Sequence, residues 1–382
     1  MKFDWFACCV GLLSACAVAQ PSVAATVNYV GSAESGDISR SENWGGILPG
    51  KSDTAAFPDG FSSPASGLNL GGALAFGNLS WSDTSGRELD LGGNTLTLDD
   101  PSGTSQLSIG NAVLAVKNGT FNVDSEISRF LPSGDYCTLI LTNATMNINR
   151  PNWRLNGNSG KGFTIRVLKD GRLISTGLPN GDQMFPLIGK YSCKFIIDGG
   201  FASLMSQRNT SGVTYARIGF NKSWEDGSLE VKNGGILDFT GAFAGVRLTG
   251  TKACYSFNDS FLYQTNGVAY SGSDFGVYYA NSGDSSKPGY LAMTNSVYKG
   301  VRFNYGGKNG NVTFHDTAVD LSCDNKDYAG FFFYEAGGGN RVTVSGNSSF
   351  KAKILNWVSS SGNGATFALE GGTFSAPVVM DG

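Results

Sequence analysis

An eight-residue phrase recurs along most of this chain: apolar, any, Asn/Asp/Gly, small, any, apolar, any, apolar. It reads LGGNTLTL, VKNGTFNV, LTNATMNI, LKDGRLIS, VKNGGILD, MTNSVYKG, FHDTAVDL and LEGGTFSA, with looser copies around Asp198, Asp259 and Gly346. Repetition of this kind constrains a fold more than local propensity does, because each repeat must stack on its neighbours to bury its apolar face. Taking the central position as an anchor gives Gly93, Asn118, Asn143, Asp170, Asp198, Asn233, Asp259, Asn295, Asp316, Gly346 and Gly371. The intervals run from 21 to 36 residues with a mean near 28. That irregularity suits a coil whose loops vary in length while its strands stay in register.

Apolar and polar residues alternate on both sides of the anchor. Leu139 and Leu141 precede Asn143, and Met146 and Ile148 follow it; Leu229 and Val231 precede Asn233, and Ile236 follows. A period of two means strands with one buried face. Asn, Asp and Gly at the anchor tolerate left-handed backbone angles or bond their own backbone, so the chain turns there. Upstream lies a second column of short strands ending in Gly/Asn-rich turns: GVRLTG, GVYYAN, GVRFNYGG and GFFFYEAGG. No segment longer than about ten residues keeps a helical period. A propeller needs longer repeats and a leucine-rich repeat needs its own spacing and a helix. Tandem sandwiches would show no column-by-column echo. The pattern predicts an all-β chain, a single-stranded right-handed parallel β-helix, or β-solenoid, with an N-terminal cap. At about 4.8 Å per rung, eleven anchors would span roughly 50 Å.

Glycine is abundant, at 54 of 382 residues, and charge is low at 15%, while aromatics stay at 12%. Disordered chains are poor in aromatics and rich in charge, so this one should fold. A net charge of −3 supplies no basic field for nucleic acid or an anionic membrane. Residues 1–25 carry one lysine, an apolar run and small residues before two possible cleavage points, after Ala19 or Ala25. They read as a secretory signal, too short to span a membrane. Leu13-Ser14-Ala15-Cys16 also resembles a lipobox, which would place a lipid anchor on Cys16; the alternative reading is that Cys16 fills the apolar run together with Cys8 and Cys9. The expected organisation is therefore a signal peptide over 1–25, a cap region over 26–66 and a parallel β-helix over 67–382. No transmembrane segment is expected in the mature chain.

Beyond the signal, Cys137, Cys193, Cys254 and Cys323 lie 56, 61 and 69 residues apart, neither a dense disulfide framework nor a metal-ligand spacing. Cys137, Cys193 and Cys254 fall five or six residues before their anchors, in alternate rungs. That separation of about 9 to 10 Å along the axis exceeds the roughly 7 Å a disulfide allows between α-carbons. No bridge among these three is expected.

The stretch ENWGGILPGKSDTAAF over residues 42–57 resembles the opening of bacterial autotransporter-type, β-strand-repeat surface proteins, through Asn43, Trp44, Pro49, Gly50, Asp53 and Phe57. The resemblance covers this head phrase and the rungs, and implies a secreted or surface-displayed β-helix passenger of the pectin-lyase-like kind. Physically, Trp44 and Phe57 suit the covering of an open first rung. Unlike full autotransporters, the chain shows no run of membrane strands after Asp100. It reaches Gly382 just after a rung strand, so a partner is expected over that end or the sequence is a fragment.

Several motifs bear on chemistry. GGILPGKS over residues 45–52 matches the phosphate-binding pattern in letters, but such a loop must join a strand to a helix N-terminus, so no nucleotide is expected. His315 is the only histidine; a triad would have to be built on it, and its alternation with Phe314 favours a solvated strand residue. β-Helix enzymes such as pectate lyases and polygalacturonases resemble this architecture and use clustered acids. Here Asp238, Asp259 and Asp316 read at different offsets, and Asp99-Asp100 and Glu225-Asp226 are sequence neighbours that point to opposite faces. Arg150 and Arg154 have no acid cluster beside them. No catalytic residue, metal or cofactor is assigned. Asn-x-Ser/Thr triplets, at Asn118 and Asn143 among others, coincide with the turn chemistry.

One surface column stands out. With Val246, Val277, Val301 and Phe331 inward, Arg247, Tyr278, Arg302 and Phe332 point outward on successive rungs as a candidate binding ridge. Aromatic faces and guanidinium planes stack on sugar rings or protein; the same ridge also suits simple rigidification. The expected role is structural or adhesive display at the cell surface or in the secreted fraction, with surface polysaccharide or a host or cell-surface protein as partner. The alternative is a polysaccharide-binding or polysaccharide-degrading, pectate-lyase-like protein.

Overall fold

The computed structural model describes residues 24–31, 35–62, 67–151, 162–176, 184–185, 193–204, 216–219, 227–239, 246–250, 253–265, 277–282, 289–323, 329–336, 339–358 and 365–381. The secretory and lipobox features of residues 1–23 lie outside them. The chain is a parallel β-solenoid whose only helical element among the described residues is a 3-10 turn, Ser41–Trp44.

The repeated phrase is a corner. Gly93, Asn118, Asn143, Asp170, Asn233, Asp259, Asn295, Asp316 and Gly346 all take positive φ, between 46° and 83°. At the other two anchors, Asp198 and Gly371, the left-handed residue is the next one, Gly199 or Gly372. One left-handed residue bends the chain sharply without a loop, so the strands before and after it belong to adjacent faces of one coil. Side chains at the corner then bond along the axis. Asn118 Nδ2 donates to both Asp90 carboxylate oxygens at 3.1 Å, Asn143 to Asn118 at 3.0 Å, Asn233 to Asp198 at 2.6 Å and Asn295 to Asp259 at 3.4 Å. An amide between two carboxylates separates like charges that a rung spacing of about 4.8 Å would otherwise bring close.

Before the corner lies a first face, with Thr164–Val167, Lys194–Asp198, Ser228–Lys232 and Cys254–Asn258 as successive strands in parallel register. After it lies a second face, with Arg172–Thr176, Phe201–Leu204, Ile236–Asp238 and Phe261–Gln264. Inward residues stack into apolar columns, as in Leu139, Ile165, Phe195, Leu229 and Tyr255, each buried to 1% exposure or less. A third face closes the coil. From Met184–Phe185 onward it forms its own eight-stranded sheet through Ala216–Gly219, Val246–Gly250, Val277–Ser282, Arg302–Lys308, Gly330–Ala336 and Leu355–Val358 to Val378–Asp381.

In the first coils the third face is carried by Thr26–Asn28, Thr54–Phe57, Asn78–Trp81 and Thr104–Ile109. This ladder begins inside the stretch expected to be a cap. Trp44 and Phe57 are both buried and form one aromatic cluster with Tyr29 and Phe61, with ring centroids 4.9 to 6.1 Å apart. The Trp44 indole N–H donates to Ile38 O at 2.8 Å, which satisfies its one polar atom. Burial pushes the Tyr29 hydroxyl up to about 12.

None of the four described cysteines is in a disulfide. Cys137 and Cys193 occupy one inward column two rungs apart, as expected, and burial lifts the Cys137 thiol to about 12. Cys254 lies two rungs beyond Cys193 but outside its column: it pairs with Ser228 on the outward parity, one place beyond the column of Cys137, because it stands five residues before its left-handed corner rather than six.

Candidate functional site

The third face carries the residues expected to form a ridge. Arg247 and Tyr278 are direct register partners; their side chains lie outside the described residues. The rung after them corrects the register. Phe303, not Val301, takes the inward place above Val277 and below Phe331, so Tyr278 is followed in register by Asn304 and then Phe332. Arg302 sits two residues earlier and pairs with Gly330. The physical reason is that Val301 falls in the bend before the strand, and the larger Phe303 ring stacks on Phe331 at 5.0 Å and 19°. Arg302 and Phe332 nonetheless meet across rungs: the guanidinium lies 3.7 Å from the Phe332 ring centre and its Nε donates to Asn304 Oδ1 at 2.6 Å. Both are only 8% exposed and Asn304 is fully buried. Of the ridge, this half is a packed cluster rather than an open surface.

At the corner, the sequence's only histidine gathers two polar neighbours. His315 Nδ1 lies 3.0 Å from Ser345 Oγ and its Nε2 lies 3.2 Å from Asp316 Oδ2, while Asp316 Oδ1 accepts from the Asn347 backbone N–H at 2.8 Å. Serine, histidine and acid are in sequence, but the ring nitrogens are exchanged relative to a serine triad, with Nδ1 toward the hydroxyl and Nε2 toward the acid. His315 and Asp316 stand 47% and 40% exposed at the corner, so both are open to water. The expectation that Asp259 and Asp316 lie at different offsets is corrected: both are corner residues two rungs apart, because the intervening connections compensate, and Asn295 stands between them.

The second face holds an arrangement that sequence reasoning missed. Its outward column next to the corner begins with Thr95, Thr120 and Thr145, continues as Arg172, Phe201, Ile236, Phe261 and Val297, and returns to Ala318, Ser349 and Thr373. Phe201, Ile236, Phe261 and Val297 are half-buried and Arg172 is exposed. The Arg172 guanidinium lies 4.5 Å from the Phe201 ring centre, and Phe261 lies 6.0 Å from Tyr263 with the rings inclined by only 27°. The neighbouring outward column is mostly polar, with Ser203, Asp238, Tyr263, Lys299 and Asp320 in order. Two lysines flank Asp320. Burial pushes its carboxyl up, but bonds from the Ser322 hydroxyl and amide and the charges of Lys351 and Lys299 outweigh that and hold it below the usual carboxylate range. Part of the signal was present in the phrase: the residue two after the anchor is Arg172, Phe261 and Val297 in three of these rungs, but in the other two an extra glycine, Gly200 or Gly235, takes that place and moves Phe201 and Ile236 one residue on. Ile236, expected to continue the buried alternation after Asn233, therefore faces outward, and Leu237 takes the buried place.

The remaining motifs are placed as follows. The segment over residues 45–52 leads into strand Thr54–Phe57 rather than a helix, Asp53 Oδ2 accepts from the Gly50 N–H at 2.8 Å, and Lys51 pairs with Asp99 at 2.7 Å. Asp100 accepts from Asn78 Nδ2 at 3.1 Å. Arg154, Glu225 and Asp226, and the side chain of Arg150, lie outside the described residues. No group of histidine, cysteine and acidic residues with metal-binding geometry occurs among the described residues. Comparison with protein-family models, with curated proteins and with solved structures finds no match to this chain.

Proposed function

We propose that this chain is a secreted or cell-surface β-helix with a structural and adhesive role. The observation that carries the reading is the second-face column, which is threonine at one end and alanine, serine and threonine at the other but Arg, Phe, Ile, Phe and Val between them. Outward positions on a solvated sheet ordinarily hold polar residues, and a bounded apolar strip marks a contact surface. A solenoid suits such a role because its rungs fix the spacing of surface side chains along one axis. Secretion rests on the signal-like composition of residues 1–25. No helix among the described residues is long and apolar enough to cross a membrane. Arg247 and Tyr278 are kept as further candidate contacts on the third face. A degradative role is less well supported, since His315 and Asp316 are open to water at the corner.

The test is expression of the full chain in a bacterial host, followed by fractionation and by retention of the purified protein on polysaccharide-coated and matrix-protein-coated surfaces. Processing near Ala19, Ala25 or Cys16 together with retention above an inert protein of similar charge is the expected result. An unprocessed cytoplasmic protein, or one that washes off every surface, rules the reading out.

A further inference from the structure

We propose that the second-face strip of Arg172, Phe201, Ile236, Phe261 and Val297 binds a single extended chain of uncharged, β-linked sugar rings lying along the solenoid axis. The inference rests on the adhesive reading above and names the ligand of that surface.

The dimensions favour a linear ligand. Arg172 and Val297 are four rungs apart in unbroken register, which at about 4.8 Å per rung makes the strip roughly 19 Å long and one side chain wide. A stable protein partner needs about 800 Å² on each side with an apolar centre, several times what this strip offers. A polysaccharide needs only a row of ring-sized platforms. Phe201 and Phe261 lie two rungs apart, about 10 Å, with Ile236 between them. That distance is comparable to the two-ring repeat of an extended β-linked glycan, whose alternate rings turn the same face to one side.

The chemistry agrees with the dimensions. The C–H face of a sugar ring is slightly positive and settles on the negative face of an aromatic ring. The Arg172 guanidinium lies over one face of Phe201 and supplies a flat donor at that end of the strip, and Tyr263 adds a second ring next to Phe261. Ser203, Asp238 and Lys299 in the next column stand where ring hydroxyls would project. Arg172, Asp238, Lys299 and Asp320 alternate in sign along the strip, which selects against a uniformly anionic chain.

The experiment titrates the purified full-length protein with cellohexaose, and with α-linked maltohexaose, whose curved chain does not follow a straight strip, as the contrast. Wild type should bind cellohexaose and not maltohexaose. The double variant Phe201→Ala/Phe261→Ala should weaken cellohexaose binding by at least about tenfold, and Phe201→Tyr/Phe261→Tyr should stay within about threefold of wild type, since the rings are kept. Melting curves accompany each variant. If the alanine pair does not fold, Ile236→Lys tests the same strip by placing a hydrated charge between the rings, and should abolish binding. No cellohexaose binding by wild type, equal binding of both oligosaccharides, or unchanged binding in the folded alanine or lysine variant overturns the inference. Retention of wild type on coated surfaces without any cellohexaose binding would leave the adhesive reading standing while sinking this one.

Discussion

The corner between the first and second faces and the strands of the third face are built under different rules. At the corner one left-handed residue, or two in the coils of Gly92–Gly93 and Asn233–Gly234, joins two strands, so the phase of one fixes the phase of the other; Asn143, Asp259, Asn295 and Asp316 do this singly with φ between 46° and 50°. The third face is reached through connections of varying length, and its register is set by packing. Phe303 displaces Val301 from the expected inward place, and the ladder breaks again between Tyr305 and Gly307. Burial differs too. Outward residues beside the corner are half-buried or exposed, whereas on Arg302–Lys308 both parities are buried at Arg302, Phe303, Asn304 and Tyr305. A short turn transmits register as geometry. A long connection leaves register to whichever side chains pack best.

The sharpest challenge to that contrast is at Phe331, fully buried on the third face against Phe303, Phe333 and Phe350. Phe331→Ala should lose about 4 kcal/mol in denaturant unfolding; a loss below about 1 kcal/mol would mean the third face is an appendage rather than part of the core. The corner's intolerance is tested at Gly171, where an added Cβ would stand 2.5 Å from Leu141 O and 2.9 Å from Leu168 O. Those are backbone atoms that cannot swing away, so Gly171→Val should cost about 3 kcal/mol, and a variant melting like wild type would show the corner to be soft.

Asn233 separates backbone from side chain. Asn233→Ala loses both left-handed tolerance and the bond to Asp198, for about 2 kcal/mol, while Asn233→Gly loses only the bond, for about 1 kcal/mol. Equal losses in the two variants would deny the φ argument. The smallest effect lies between Lys299 and Lys351. Since the Asp320 carboxyl is held below its ordinary range in the folded chain, its stabilisation is present above about pH 4 and is lost as pH falls through the folded value. Asp320→Asn should therefore cost about 0.5 kcal/mol at pH 7 and progressively less in acid; a cost that grows toward low pH would contradict the direction of the shift.

Much of this architecture was legible in the residues alone because its signals are local. Alternation gave the buried parity of Leu139 and Leu141, and the Asn, Asp and Gly anchors marked corners, since few other residues tolerate positive φ. The ridge was less legible. Arg247 and Tyr278 were matched correctly as rung neighbours, but two residues' difference in the next connection put Asn304 where Arg302 was expected. Nothing short-range marks that difference. The Phe201–Phe261 strip went unread because its residues do not share one place in the phrase: Arg172, Phe261 and Val297 stand two residues after the anchor, whereas an extra glycine puts Phe201 and Ile236 three after it.

By itself the sequence determined a parallel coil with its corners at Asn, Asp and Gly, because a left-handed turn and a period of two are properties of a few adjacent residues. The tertiary structure decided which outward side chains lie above one another and which of them meet solvent. That choice depends on connection lengths and on packing between residues some 28 positions apart, such as Phe303 with Phe331, and no stretch of chain short enough to read as a pattern contains both partners.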